Sequence, residues 1–402
     1  MGIELPIVSA VMARLADPEI HLAAYGGVVF PLALIIESPV IMLLVASTAL
    51  SKDWTSYVFL RRFMTQLACT LTVLHVLVAF TPLYDVIVVD IIGVPEGIRE
   101  PARIGLMLMT PWTAAIAVRR FQQGVLIRYG RTQLIGVGTA LRLIVNMTIL
   151  SVGLYWESVL GIVVATVAVS IGVLTEAIFV NIQVQPLLAR MRADSHDLGI
   201  PLTMERLLKF YIPLAMTSLL ALLALPIGSA ALSRMPRALD SLAVWPVMAG
   251  LSFTLRSLGL AFQEVVVTLI DQPGAIVILR RFALRLALTT SSLLFIIAAT
   301  PLGRIWFGDI AGLSPELTEL GASAIWFAIF LPGLSAIESF YQGRLVQGHQ
   351  TKSITEAVAI SLVASASIMA VGTYYGQIQH PTVFLKLTFS FIAILIDIEY
   401  LY

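Results

Sequence analysis

The sequence predicts an all-α integral membrane protein, with about twelve transmembrane helices arranged as two parallel six-helix repeats. Three observations support this prediction. Hydrophobic residues form 58% of the 402-residue chain and charged residues only 12%, whereas a soluble domain carries about 25% charged residues. Apolar runs long enough to cross a bilayer recur along nearly the whole chain. Short segments also recur at one fixed offset, which indicates an internal duplication.

The duplication is clearest in Arg119–Ile135, which recurs 219 residues later as Glu338–Ile354. Both copies contain an aromatic residue, a Gln-Gly pair, a leucine and a later threonine at matching positions. The other matching segments are Leu60–Phe63 with Leu279–Phe282, Asp90 and Gly93 with Asp309 and Gly312, and, one residue further apart, Leu5–Leu15 with Leu225–Met235. We therefore predict a first half at 1–187, a cytoplasmic linker at 188–206 and a second half at 207–402.

Apolar runs bounded by charge, proline and glycine predict six spans in each half. In the first half they lie at about 1–14, 21–49, 56–81, 101–127, 131–153 and 157–187. In the second half they lie at about 207–233, 241–269, 276–299, 316–346, 350–375 and 381–402. The first span is shorter than the roughly 20 residues that a crossing helix needs. A truncated start is one explanation, and a re-entrant stub is the other.

The positive charges predict the orientation. Six spans return the chain to its starting side, so both halves enter the membrane in the same orientation. One set of loops and helix ends, which includes Arg119 and Arg120, carries sixteen Lys and Arg residues, and the opposite set carries seven. The richer side is expected to be cytoplasmic, with both termini there and a bacterial inner (plasma) membrane as the location. On the other side, segment 85–103 is expected to be interfacial and broken at Pro95 and Pro101, with 304–320 as its partner.

Several functions are excluded by what the sequence lacks. It contains no GxxxxGK phosphate loop, no HExxH pair and no Ser/His/Asp set on plausible loops. The single cysteine, Cys69, cannot form a disulfide within the chain, and no Cys/His cluster is present to bind a metal. The net charge of +1 gives no indication of a nucleic-acid partner. We expect a bilayer partner, no cofactor beyond a coupling H⁺ or Na⁺, and an oligomeric state left open, with a monomer sufficient.

Two helical halves, each with an aromatic-x-Gln-Gly-x-Leu segment at the end of its fourth span, resemble the multidrug/oligosaccharidyl-lipid/polysaccharide exporter (MOP) superfamily. Its members include multidrug and toxin extrusion (MATE) transporters and lipid-linked sugar flippases. Within it, segment 22–52, with its LAxYG beginning and Ser-Lys end, is similar to the progressive ankylosis protein, an exporter of organic and phosphate-containing anions. The resemblance implies a V-shaped pair of lobes around a cavity that is lined by the first two helices of each lobe and opens to one side at a time.

The function that follows from this resemblance is secondary-active export of a small organic ion or amphiphile by rocking of the lobes. The energy would come from a proton or sodium gradient, or from the substrate's own gradient. A lipid-linked flippase would be expected to carry several cationic residues in its cavity, and only Arg256, together with Arg142, qualifies here. A small anion or amphiphile therefore ranks above a polyprenyl-linked sugar. A flippase of the same fold is the first alternative. An intramembrane enzyme using Glu37 and Glu264, or a non-transporting membrane protein, is the alternative from another class.

Charges within spans point to the functional site, because an ionisable side chain at the bilayer centre costs roughly 2.5–3.5 kcal/mol on insertion scales. Glu37 lies near the middle of the second span, and Pro39 should free a carbonyl that can help to bind a proton or cation. The repeat places Arg256 at the position equivalent to Glu37. We predict that this pair closes the cavity and opens for a proton or an anion; the alternative is a structural ion pair. Gln263, two turns from Arg256, and Glu264 are expected nearby.

A second polar group lies in the fifth and sixth spans of the first half. Arg142 and Asn146 are four residues apart and share one helix face, while Glu176 and Asn181 lie in the next span. One interpretation is a structural network in which Arg142 pairs with Glu176, because an unpaired buried charge is costly. The other is an ion site within the lobe.

Overall fold

The protein is described by a computed structural model that covers residues 3–156, 159–193, 202–347 and 351–376. All regular secondary structure in these ranges is helical. The first half contains α1 (Glu4–Met12), α2 (Pro18–Ala24), π1 (Tyr25–Val29), α3 (Phe30–Ile41), α4 (Leu43–Leu50), α5 (Trp54–Phe80), α6 (Leu83–Asp85), π2 (Val86–Ile92), α7 (Glu96–Leu108), α8 (Thr110–Arg128), α9 (Thr132–Trp156) and α10 (Gly161–Ala193). The second half contains α11 (Met204–Ser233), α12 (Ala238–Leu269), α13 (Ala275–Ala299), α14 (Leu302–Arg304), π3 (Ile305–Ile310), α15 (Pro315–Ala328), α16 (Leu331–Gln347) and α17 (Thr351–Gly376).

The helices of the described ranges follow the predicted spans in order. Nine segments within those ranges are long and apolar enough to cross a membrane, which is the pattern of a multi-pass membrane protein. α1 is short, as expected, and the predicted fourth span, which contains α8, is too polar to belong to the nine. The predicted last span, 381–402, and part of the 188–206 linker lie outside the described residues. The total of twelve spans therefore stays a prediction.

The segment predicted to lie at the interface forms two pieces, π2 and α7, and its partner forms π3 and α15. The expectation of a break at Pro101 was wrong, because α7 continues through this residue. Pro101 lies in the second turn, where its missing N–H removes a single backbone hydrogen bond. One face of α7 is buried, and the packing of that face outweighs the loss. The buried residues are Ile98, Ala102, Gly105 and Leu106.

The glycines of the two Gln-Gly pairs have a packing role. A Cβ at Gly124 would lie 2.4 Å from the carbonyl oxygen of Leu44, so α8 crosses α4 at backbone contact distance. A Cβ at Gly343 would lie 2.7 Å from Val266 Cγ1, and α16 crosses α12 in the same way. Only glycine permits such close approach. The duplicated segment therefore marks an equivalent helix crossing in each half.

The two halves contact each other through π1 and α3 of the first half and α11 and α12 of the second. A Cβ at Gly26 would lie 2.5 Å from the ring of Pro246, and one at Gly27 would lie 2.9 Å from Leu242 Cδ2, so π1 packs closely on α12. On the other side of the interface, the Tyr211 hydroxyl of α11 donates a hydrogen bond to the carbonyl of Pro39 in α3. The interface therefore includes the helices that the resemblance assigns to the cavity walls.

Candidate functional site

A buried carboxylate, Glu176 of α10, lies at the centre of a charge cluster in the first half. Its side chain is fully buried. Arg119 of α8 donates to it across 3.1 Å, and Arg142 Nε of α9 lies 3.4 Å away. Gln123 and Thr139 donate to its other oxygen, at 3.0 and 3.3 Å. Three helices are therefore joined at one carboxylate, and the expected Arg142–Glu176 pair is present.

A second carboxylate, Glu4, extends this cluster from the beginning of α1. Arg142 Nη2 lies 3.2 Å from Glu4, and the Asn146 amide donates to Glu4 at 2.6 Å. Gly172 makes room for that amide, because a Cβ there would lie 1.7 Å from Asn146 Oδ1. The first described helix is thus held against α9 by charge-assisted contacts.

Glu37 of α3 is the third carboxylate, with a residue exposure of 1%. It interacts electrostatically with Arg119 and Arg120 of α8. Its Oε1 is buried and has no hydrogen-bond partner in the structure. We define the first-half charge cluster as Glu4, Glu37, Arg119, Arg120, Arg142 and Glu176. It contains three carboxylates and three guanidiniums, and Glu37 is the carboxylate with an unused acceptor atom.

The helix that carries Glu37, α3, continues through Pro39. Pro39 has no N–H to donate to the carbonyl of Ile35. The expectation of a free carbonyl was wrong, because Ser38 Oγ donates to Ile35 O across 2.8 Å. α3 then ends at Met42, whose ψ of −6° separates it from α4. The Ile35 carbonyl that Pro39 leaves without a backbone donor is therefore already hydrogen-bonded.

Asn181 is hydrogen-bonded to Gln122, which does not belong to the first-half charge cluster. Its Oδ1 accepts a hydrogen bond from Gln122 at 3.1 Å, and Gln122 lies 3.2 Å from the Tyr57 hydroxyl. Arg142, Asn146 and Glu176 therefore come together as predicted, whereas Asn181 joins a separate chain of polar groups between α10 and α5.

The predicted pair of Glu37 with Arg256 is not present in this structure. No ion pair within 4.0 Å joins them in the described part of the chain, and the carboxylate that acts electrostatically on Arg256 is Glu338 of α16. Glu37 and Arg256 are repeat equivalents, and so are Arg119 and Glu338. Each half thus places an acid near an arginine at the same two positions, with the charges exchanged. Among the described residues, these charges therefore interact within a half and not between the halves.

The face of α12 that carries Arg256 and Gln263 is packed within the second half. A Cβ at Gly259 would lie 2.9 Å from Ala336 N of α16, and the Gln263 carbonyl lies 3.3 Å from the Cβ position of Gly343. α16 therefore packs against this part of α12, and the shared face of Arg256 and Gln263 stays a prediction. The side chain of Glu264 lies outside the described residues.

Sequence reasoning missed Glu4, Arg119 and Arg120 as members of the site. The two arginines were counted as cytoplasmic positive charges, yet Arg119 is 2% exposed and pairs with Glu176. A signal was available, because Arg119 and Glu338 differ in charge at equivalent repeat positions. A residue that served only as a positive charge on the cytoplasmic surface would be expected to be positive in both repeats.

This architecture is that of an all-helical membrane protein built from a duplicated unit, as in several transporters. Comparison with solved structures identifies the fold as that of the MOP superfamily. A MATE-family transporter of this superfamily, in an inward-facing conformation, matches with a TM-score of 0.73 at 13% identity, over 100% of this chain and 93% of that chain. The lipid II flippase MurJ, in an inward closed conformation, matches at 0.72 with 14% identity, over 100% and 85%. A MOP superfamily transporter from Pyrococcus furiosus, whose binding pocket is described as having reverse polarity, matches at 0.57 with 14% identity, over 100% and 93%.

No family model matches the sequence, and no curated protein matches it. At identities of 13–14%, the structural similarity shows the fold alone. These three matches are two transporters and a flippase, not enzymes. The comparisons do not show the narrower similarity to the progressive ankylosis protein. Substrate and coupling ion therefore have to be argued from the site.

Proposed function

We propose that the protein is a secondary-active exporter that works by alternating access, with the halves at 1–187 and 207–402 as rocking bodies. The observation that carries this proposal is the buried first-half charge cluster within a MOP transporter fold. Intramembrane charges are rare, and they mark ion pathways and proton relays. The charge distribution supports a location in the plasma membrane with both termini in the cytoplasm.

The proton site of this proposal is Glu37. Glu176 accepts hydrogen bonds from three side chains, and Glu4 is held by Arg142 and Asn146. Glu37 alone of the three carboxylates has a buried oxygen with no hydrogen-bond partner. It is therefore the carboxylate whose protonation disturbs the fewest existing contacts.

Protonation of Glu37 changes the charge balance of the cluster. With all six groups ionised, three positive and three negative charges cancel; one added proton leaves a net charge of +1. Arg119 and Arg120 then face one carboxylate fewer, and guanidinium groups bind carboxylate and phosphate oxygens well. A small organic anion is thus the substrate class that the cluster favours. Proton and anion would be bound in the same state, and export would follow the anion's own outward gradient.

Replacing Glu37 by Gln should remove the pH dependence of transport. The amide is a permanent neutral mimic of the protonated acid, so the variant should move anions at a rate that is nearly constant between about pH 5 and pH 8. The measurement uses proteoliposomes containing a pH-sensitive dye, with outward gradients of citrate, succinate or pyrophosphate as probes. With the parent protein, the interior dye should report alkalinisation, because proton and anion leave the vesicle together.

The matched control is Glu205→Gln, since Glu205 is 77% exposed and pairs with Lys209 one turn away. It should behave as the parent protein does. A Glu37→Gln variant with the parent's pH profile would contradict the role of Glu37. An imposed sodium gradient in the same vesicles tests Na⁺ as the coupling ion. Anion movement opposite in direction to the proton would indicate antiport, and the scheme of joint binding would be wrong.

A lipid or lipid-linked flippase is the second candidate function, favoured by the match to MurJ over the whole of this chain. The two functions differ in what crosses the membrane. Vesicles containing a fluorescent phosphatidylglycerol in both leaflets would show protein-dependent loss of the lipid signal to an external quencher if the protein flips lipids. We expect no such loss while the anion probes move. Lipid flipping without anion movement would replace the first proposal by the second.

A further inference from the structure

Arg14, just after α1, crosses from the first half to the second. Its Nη2 donates to the backbone carbonyls of Asp309 at 2.7 Å and Ile310 at 3.0 Å, at the end of π3. Its Nη1 donates to the Ala10 carbonyl of its own helix at 2.6 Å, which fixes the side chain. The last carbonyls of a helix have no partner within the helix and carry partial negative charge, so a guanidinium suits them.

Arg234, just after α11, makes the same contacts in the opposite direction. It donates to the carbonyls of Ile92 at 2.9 Å and Ile91 at 2.8 Å, at the end of π2 in the first half. Its Nη1 also donates to its own helix, to Ala230 at 2.6 Å. The two contacts are related by the internal repeat, because Arg14 aligns with Arg234 and π2 with π3.

A glycine in the left-handed region follows each π-helix at the contact. Gly93 has φ of 75° and Gly312 has φ of 77°, a conformation that favours glycine. A Cβ at Gly93 would lie 3.6 Å from Arg234 Nη2, and one at Gly312 would lie 2.9 Å from Arg14 Nη1. Glycine thus ends each π-helix, and at Gly312 the missing Cβ also leaves room for the guanidinium. The left-handed conformation at the end of each π-helix explains why glycine recurs at positions 93 and 312.

Both contacts lie at one end of the molecule, the end that the positive charges predict to be non-cytoplasmic. Glu19 and Ser314 also meet across the halves there, with 3.4 Å between Oε1 and Oγ. Leu242, fully buried against Gly27 across the interface, lies in the second turn of α12 at this end. Arg14 and Arg234 are themselves exposed, so their bonds are made in competition with water and can be broken reversibly.

We propose that Arg14 and Arg234 form a paired gate that holds the non-cytoplasmic side closed. Each guanidinium ties one half to the carbonyl end of a π-helix in the other, so outward opening requires both sets of bonds to break together. The repeat makes the gate symmetric, and neither half can open it alone. This inference rests on the proposed alternating access, because a gate requires two bodies that move apart.

The gate can be tested by the reactivity of one reporter cysteine. Leu242→Cys in a Cys69→Ser background places a thiol at the buried contact of α12 with Gly27, between the two halves. In proteoliposomes, a charged, membrane-impermeant maleimide should label it about tenfold faster after Arg14→Ala and Arg234→Ala together, because lost charge-assisted hydrogen bonds shift the closed-to-open equilibrium. Either single variant should give an equal, intermediate increase, which keeps the test valid if the double variant does not fold.

The matched control is Arg304→Ala, an exposed arginine of the same end that pairs with Glu319 in its own half. It should leave the labelling rate unchanged. Parent-like labelling in the double variant, with a rate that still responds to pH or to Glu37→Gln, would refute the gate and leave the rocking motion standing. Parent-like labelling that responds to no variant and no pH would refute the gate and the rocking motion together.

Discussion

Replacing Glu176 by Gln is expected to destabilise the protein more than any other single change in the first half. The variant leaves the buried guanidinium of Arg119 without its carboxylate partner and removes one of the two partners of Arg142. Breaking a buried pair from one side costs about 3–5 kcal/mol, because an uncompensated charge remains. The measurement is the fraction of monodisperse protein that survives heating in detergent. The apparent melting temperature should fall on the order of 10 °C.

The matched control is again Glu205→Gln, where an exposed pair within one helix contributes about 0.3–0.5 kcal/mol. Its melting temperature should be nearly that of the parent. Adding Arg119→Gln to Glu176→Gln removes the orphaned charge and should restore part of the loss, which a double-mutant cycle quantifies. A Glu176→Gln variant as stable as the control would contradict the cluster.

Joining the two halves at the gate is expected to stop transport. Glu19→Cys with Ser314→Cys places one thiol on each side of the interface, where the native side chains lie 3.4 Å apart. A short bismaleimide would hold this end closed, and a carrier that cannot open to one side cannot complete its cycle. We expect the transport rate of the fastest anion probe to fall at least about tenfold, to the vesicle background. The Cys69→Ser background removes the native thiol.

The single variants Glu19→Cys and Ser314→Cys, treated with the same reagent, control for simple modification of a thiol. They should retain transport, because one modified side chain does not join the halves. A doubly substituted, fully cross-linked protein that transports at the parent rate would show that these ends do not separate.

The helical plan could be predicted from the sequence because hydrophobic length is a strong local signal. The ends of α5, α11 and α13 lie within a few residues of the predicted spans. The repeat was visible for the same kind of reason, since Gly124 and Gly343 sit at helix crossings that exclude a side chain. A position that has no room for a side chain requires glycine, and this requirement is visible in the sequence of each repeat.

The partners of the charges could not be predicted in the same way. Glu37 and Arg256 are equivalent positions of the sequence repeat. Equivalence under a two-fold axis, however, does not bring two side chains into contact. Contact across the axis occurs only on faces that point toward it, and α3 and α12 direct these two groups toward α8 and α16 of their own halves. The direction of each helix face is set by tertiary packing, which a span of uniformly apolar residues does not reveal.

The motion of the halves is tested most directly by distances between spin labels at exposed, repeat-equivalent positions. Two of these positions lie in α5 and α13, and two lie in α6 and α14, which follow them. In a Cys69→Ser background, one pair, Leu83→Cys and Leu302→Cys, reports on the gate end, and the other, Arg61→Cys and Arg280→Cys, reports on the opposite end. As pH is lowered with an anion probe present, we expect the two distances to change in opposite directions, one lengthening as the other shortens. Two distances that stay fixed under all conditions, or that change together, would contradict rocking of two like-oriented halves.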